Sequence, residues 1–138
     1  MHNSYVKGIV YNQLVHDAIE ADVLVADAKA VLCAGAKAIM LTLTEAGSVN
    51  NRSGVATVWV SNDGTNFCQY NMLIDNLANT NSQTLTRVSS KTRASAGTDV
   101  LFFDPMTLGG ITHFKVQIDI TDGASPVGTF TVKATVAY

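Results

Sequence analysis

The chain is short of charge. Only 14% of its 138 residues are Asp, Glu, Lys or Arg, where globular proteins average about 25%. Thr, Ser, Asn and Gly fill much of the gap, a composition suited to short strands joined by tight turns. It also suits a surface covered by neighbours, where exposed charge would have to be desolvated; the plainer reading is a monomer with a Thr/Ser/Asn-rich surface. The net charge is −2 and no stripe of Lys and Arg runs through the sequence, which argues against nucleic acid as a partner. No apolar run approaches bilayer-spanning length. The opening "MHNSYVKGIVYNQLVHDAIEAD" carries Asp and Glu where a signal peptide needs a clean apolar stretch, so synthesis and folding in a cytoplasm are expected. Cysteine is scarce, and Cys33 and Cys68 are expected to be buried free thiols. Aromatic residues make up 7%, few for a sugar-binding platform.

What is present is alternation. In "ITHFKVQIDIT", Phe114, Val116, Ile118 and Ile120 alternate with Lys115, Gln117 and Asp119. In "TFTVKATVAY", Phe130, Val132, Ala134, Val136 and Tyr138 alternate with Thr131, Lys133, Thr135 and Ala137. A period of two puts one apolar face on a core and one polar face outward. The link 122–128 holds Asp-Gly, Pro and Gly, so the pair reads as a hairpin with a longer loop. "KAIMLTLTEAG" (37–47) sets Ile39, Leu41 and Leu43 against Met40, Thr42 and Thr44. "GVATVWVSNDG" (54–64) sets Ala56, Val58 and Val60 against Val55, Thr57 and Trp59. Residues 82–94 read as a polar edge strand, and 98–105 as a short apolar strand stopped by Pro105. In 22–32 the valines favour strand, although the alanines could support a helix. "YNMLIDNLANTN" breaks the pattern. Leu73, Ile74 and Leu77 share a helical face and Asn71 could cap it, so a short helix or ordered loop is expected near 71–80.

About seven short strands with frequent turns predict an all-β fold, a single-domain antiparallel β-sandwich of jelly-roll or Ig-like type. Residues 21–138 would form the sandwich. Residues 1–20 are too apolar for a free tail and would be a first strand, a short helix or an arm laid on a neighbouring subunit.

No catalytic constellation is visible. His2, His16 and His113 lack partners at zinc-binding spacing. His16 and Asp17 are chain neighbours, which on a strand point to opposite faces, so they do not read as a catalytic dyad. Cys68 has no nearby base. Gly109-Gly110 is followed by no Lys-Ser/Thr and is a turn, not a phosphate loop. "WVSNDGTNF" (59–67) offers Asn62, Asp63 and Asn66 as oxygen ligands, but calcium usually takes more than one carboxylate. Asn62, Asp63 and Gly64 therefore read as a structural hairpin turn, because these residue types tolerate positive φ. No catalytic residue, cofactor or metal is expected, and the protein is not expected to be an enzyme.

Val58 to Phe67 resembles the strand, Ser-Asn-Asp-Gly-Thr-Asn, aromatic hairpin of small β-sandwich virion proteins of tailed bacteriophages. The ending "GTFTVKATVAY" is similar to the closing strand of such head-decoration or tail-accessory proteins. The resemblance lies in these two patches. The resemblance implies a structural virion protein, made in the host cytoplasm, that works by self-association and by binding capsid or tail proteins. On the resemblance alone a trimer is favoured over a dimer, with neither nucleic acid nor membrane as partner. The alternative is a carbohydrate-binding β-sandwich module, whose related hairpin carries Trp where Phe67 stands here.

Overall fold

The computed structural model describes residues 8–47, 51–75 and 85–138. They form strands β1 (Ile9–Ile19), β2 (Val31–Leu32), β3 (Ala38–Ala46), β4 (Arg52–Ser61), β5 (Cys68–Tyr70), β6 (Met72–Asp75), β7 (Leu85–Val88), β8 (Lys91–Arg93), β9 (Gly97–Phe102), β10 (His113–Asp122) and β11 (Thr129–Ala137), with one 3-10 turn at Leu108–Gly110. Two antiparallel sheets result. The first runs β1-β11-β3-β9-β6-β7; the second runs β2-β10-β4-β5, with β8 also on β4. The sheets pack as the β-sandwich that the alternation predicts.

The inward rows make the core. Ile39, Leu41 and Leu43 of β3 and Phe130, Val132, Ala134 and Val136 of β11 are buried on one side. Ala56, Val58 and Val60 of β4 and Phe114, Val116 and Ile118 of β10 are buried on the other. Each large side chain so buried contributes about 1.5–3 kcal/mol. Phe130 reaches Gly54, where a Cβ would lie 2.8 Å from its ring. Any other residue at 54 would force the Phe130 ring or the backbone to shift.

The pairing departs from expectation in several places. β10 and β11 do not form a hairpin. β10 pairs with β4 along its length and β11 with β3, so the 123–128 link crosses from one sheet to the other. Each strand pairs along its length in its own sheet, and the link holds Pro126 and a positive φ at Ser125 (50°) instead of a tight reversal. Met72–Asp75, expected as helix or ordered loop, is strand β6 paired to β7; sheet pairing overrides a short helical pattern, and residues 76–80 lie outside the described residues. Stretch 22–32 contains only a bridge at Val23 to Ile118, a turn, and two-residue β2. The polar strand of 82–94 is two strands, β7 at the edge of the first sheet and β8 in the second. Both cysteines are free; Cys33 is buried, and burial pushes its thiol up to about 11. Cys68 is exposed, contrary to expectation: although it lies opposite the inward Val60, it opens a three-residue strand at the edge of the second sheet.

β1 is the edge of the first sheet and pairs with β11 through three register shifts. Asn12 (φ 49°) and Ala18 (φ 47°) are in the left-handed region. Their freed N–H groups donate to Thr135 Oγ1 (3.2 Å) and Thr131 Oγ1 (3.1 Å). The bulges bring Val15 and His16 both inward. His16 Nε2 then donates to the backbone carbonyl of Val116 across the sandwich (2.6 Å), which fixes that nitrogen as protonated.

The contact covers an otherwise open edge of β10. β2 pairs only with His113 and Phe114. Beyond it, Val23 exchanges two backbone bonds with Ile118 (2.9 and 3.1 Å), and Asp22 Oδ1 accepts from the Ile120 amide (2.6 Å). Replacing His16 with Phe keeps the bulk but strands the Val116 carbonyl. Urea denaturation of His16→Phe should show a loss of about 1–3 kcal/mol.

Candidate functional site

The Ser61–Phe67 turn follows from its side chains. β4 ends at Ser61, and the chain returns as β5 with Val60 opposite Cys68. Ser61 Oγ donates to Asp63 Oδ1 (2.8 Å) and accepts from the amides of Asp63 (3.1 Å) and Gly64 (2.9 Å). Asp63 Oδ1 also accepts from the amides of Thr65 and Asn66 (both 2.8 Å), and Oδ2 from Asn66 Nδ2 (2.8 Å). The amides of Asn66 and Thr65, then the side chains of Asn66 and Ser61, hold this carboxyl well below the usual carboxylate range. The carboxylate is engaged within its own loop.

Gly64 has φ +77°, and a Cβ there would lie 2.9 Å from the His113 ring. Asn62 and Asp63 are not in the left-handed region. Of the three residues, Asp63 serves as a hydrogen-bond hub and only Gly64 supplies the positive φ.

Around the turn the outer face of the second sheet is polar and internally bonded. Lys115 Nζ sits 4.7 Å from the Phe67 ring centroid and donates to the Val25 carbonyl (3.0 Å). Trp59 Nε1 donates to Gln117 Oε1 (3.0 Å), and Gln117 Nε2 donates to both oxygens of Asp119 (3.1 Å each). Phe67 therefore carries a cation over one face, and Trp59 is tied to its neighbour. A shallow pocket of about 390 Å³ lies beside the turn, between Phe67, Cys68 and Ile111.

The outer face of the first sheet is different in kind. A groove of about 550 Å³ crosses it, lined by Ile9 and Tyr11 of β1, Met40 of β3, Leu73 of β6, Leu85 of β7 and Phe102 of β9 among others, with no charged residue in its lining. Tyr11 is 68% exposed, so this apolar surface is open. At its margin the 104–107 loop is held firmly. Tyr70 Oη accepts from the Asp104 amide (2.9 Å) and bonds Thr107 Oγ1 (2.6 Å), while Asp104 Oδ1 accepts from the Met106 amide (3.0 Å). Asp104 also pairs with Arg87. The loop carries Met106 outward, 93% exposed. The groove escapes a linear reading because its lining comes from separate strands; the outward apolar residues Met40 and Phe102 are the only local signal.

His16 and His113 lie in different surroundings, the first under the β10 edge and the second against Gly64. Among the described residues no three His, Cys, Asp or Glu side chains gather where they could hold a metal ion, and no helix is long and apolar enough to cross a membrane.

No family model matches the chain, and no curated protein matches it. Among solved structures it is similar to the SPBc2 prophage-derived protein YomS, with a TM-score of 0.59 at 14% identity over 99% of this chain and 100% of that one. The two share a fold from end to end.

Two outcomes test the turn. Gly64→Val should lower stability by about 1–2 kcal/mol or more, since a β-branched residue is strained at positive φ; calorimetry reads this as a lower melting temperature. Asp63→Ala should lower the melting temperature at neutral pH. The stabilisation from Asp63 is present above the ordinary aspartate range and is lost as pH falls through its depressed value, so the variant should show a shallower acid loss than the parent.

Proposed function

We propose that this chain is a structural protein of a bacteriophage particle, a capsid decoration or tail accessory component that acts by association with copies of itself and with a capsid or tail surface. The observation that carries this reading is the uncharged groove across the first sheet. Open apolar surface of this kind marks association sites on soluble domains. The end-to-end fold likeness to a prophage-derived protein and the phage-like hairpin sequence at Val58 to Phe67 support the same class. In this reading the protein works by shape and burial and performs no catalytic step. It is made in the host cytoplasm and ends in the virion, with a closed symmetric oligomer, a trimer before a dimer, as its own assembly.

Sedimentation velocity should show an oligomer larger than 14.6 kDa. Met40→Lys, which puts a charge in the groove, should shift the population to smaller species while leaving the fold intact. A parent that stays monomeric at every concentration and binds neither purified capsids nor tails would overturn the reading.

A further inference from the structure

The chain holds no Asn-Gly pair but two Asp-Gly pairs, Asp63-Gly64 and Asp122-Gly123. Such pairs are weak points in a backbone, because glycine has no side chain to shield its amide nitrogen from the preceding carboxyl. The damage runs through a ring. In the turn, the Gly64 nitrogen would lose its proton and bond to Asp63 Cγ, and a carboxyl oxygen would leave as water. The succinimide would then take up water and open at either carbonyl. One product restores aspartate. The other is isoaspartate, whose main chain runs through Cγ and is one carbon longer. That carbon would sit inside the reversal between β4 and β5.

We propose that Ser61 and Asn66 lock the Asp63-Gly64 bond against this isomerisation for as long as the turn is folded. The nucleophile is occupied. Gly64 N donates to Ser61 Oγ (2.9 Å), which holds its proton and fixes its peptide plane. The His113 ring backs that plane, 2.9 Å from where a Gly64 Cβ would lie. The electrophile is pinned. Asp63 Oδ1 is held by the Ser61 hydroxyl and by the amides of Thr65 and Asn66, and Oδ2 by Asn66 Nδ2 (2.8 Å each). Swinging Cγ onto the Gly64 nitrogen would break these bonds together. The leaving oxygen must also carry a proton, and the same bonds, the Asn66 and Thr65 amides first, keep the carboxyl ionised well below the usual carboxylate range. Asp63 is exposed, so the bonds protect it and burial does not. The lock stands on the geometry of the turn alone and holds whatever surface the chain joins.

The second pair is an internal reference. Asp122 accepts from Arg52 Nε (2.6 Å) and Gly123 N donates to the Asn51 carbonyl (2.6 Å), at the opposite end of β10 from His113 and Ser61. The test keeps the parent, Ser61→Ala and Asn66→Ala folded in warm neutral buffer, with urea-unfolded parent beside them, and follows isoaspartate at residues 63 and 122 by peptide mass spectrometry. Folded parent should form it at Asp63 slower than unfolded parent by about tenfold or more, the rate equivalent of one hydrogen bond to a charged group. Ser61→Ala should remove most of that difference at Asp63 and leave Asp122 at the parent rate. Asn66→Ala, at an exposed side chain, should remove part of it. Equal rates at Asp63 in folded and unfolded parent would overturn the proposal, as would a parent rate at Asp63 in both variants. If Ser61→Ala speeds both sites, that variant has unfolded and Asn66→Ala decides: a faster Asp63 beside an unchanged Asp122 supports the lock, and an unchanged Asp63 overturns it.

Discussion

The two sheets can bury their apolar rows only against each other, and this constraint decides where each strand goes. Phe130 packs directly over Gly54, where there is no room for a Cβ. Around it Phe114, Val116 and Ile118 join Val132, Ala134 and Val136 in one apolar cluster. The chain serves this packing by changing sheets at most of its links; only β4–β5 and β6–β7 keep sequence neighbours paired together. Even the single residue Asn71 between β5 and β6 is a change of sheet. Where apolar residues run out, at the Glu45 and Arg52 layer, the same inward geometry continues with charged side chains, and for Arg52 direct pairing with Asp122 offsets the cost of burial.

Edges are the second demand on a sandwich, because unpaired strands invite further pairing. β10 meets it with borrowed groups: the His16 ring, the Val23 backbone and the Asp22 carboxylate each take part of the edge that β2 is too short to cover. β1 meets it by irregularity, since bulges at Asn12 and Ala18 disrupt any template for a neighbouring strand. Association through the regular outer face of the first sheet is then easier than association through its edge. The threonines on that face have a use besides solubility, because Thr131 and Thr135 satisfy the amides that the bulges release.

Much of the fold is legible in the sequence. The period-two rows of β3, β4, β10 and β11 name most of the core, and the Asn-Asp-Gly signal places the β4–β5 reversal. What the sequence hides is non-local. Nothing between Asp122 and Thr129 tells a long hairpin from a crossing, because both need a flexible link; the answer lies in β4 and β3, which pair with β10 and β11 along their length. Leu73 and Ile74 look helical in isolation and become strand because β7 and β9 are there to receive them. The groove is hidden for the same reason, being assembled from residues far apart in the chain. Glu45 leaves a trace, since it holds the phase of Ile39, Leu41 and Leu43, but an acid at a strand end ordinarily reads as solvated.

The partnership of β1 with β11 has a consequence in time. Ile9 lies opposite Ala137, so the earliest described strand to leave the ribosome has no partner until the last described one follows. Pairings this distant in sequence are slow to form, with folding on about the millisecond-to-second scale for topologies of this kind. The first sheet, and with it the open groove, is complete only when β11 has been made. A nascent or truncated chain cannot present that surface, so the topology itself keeps partial products out of any assembly built on it.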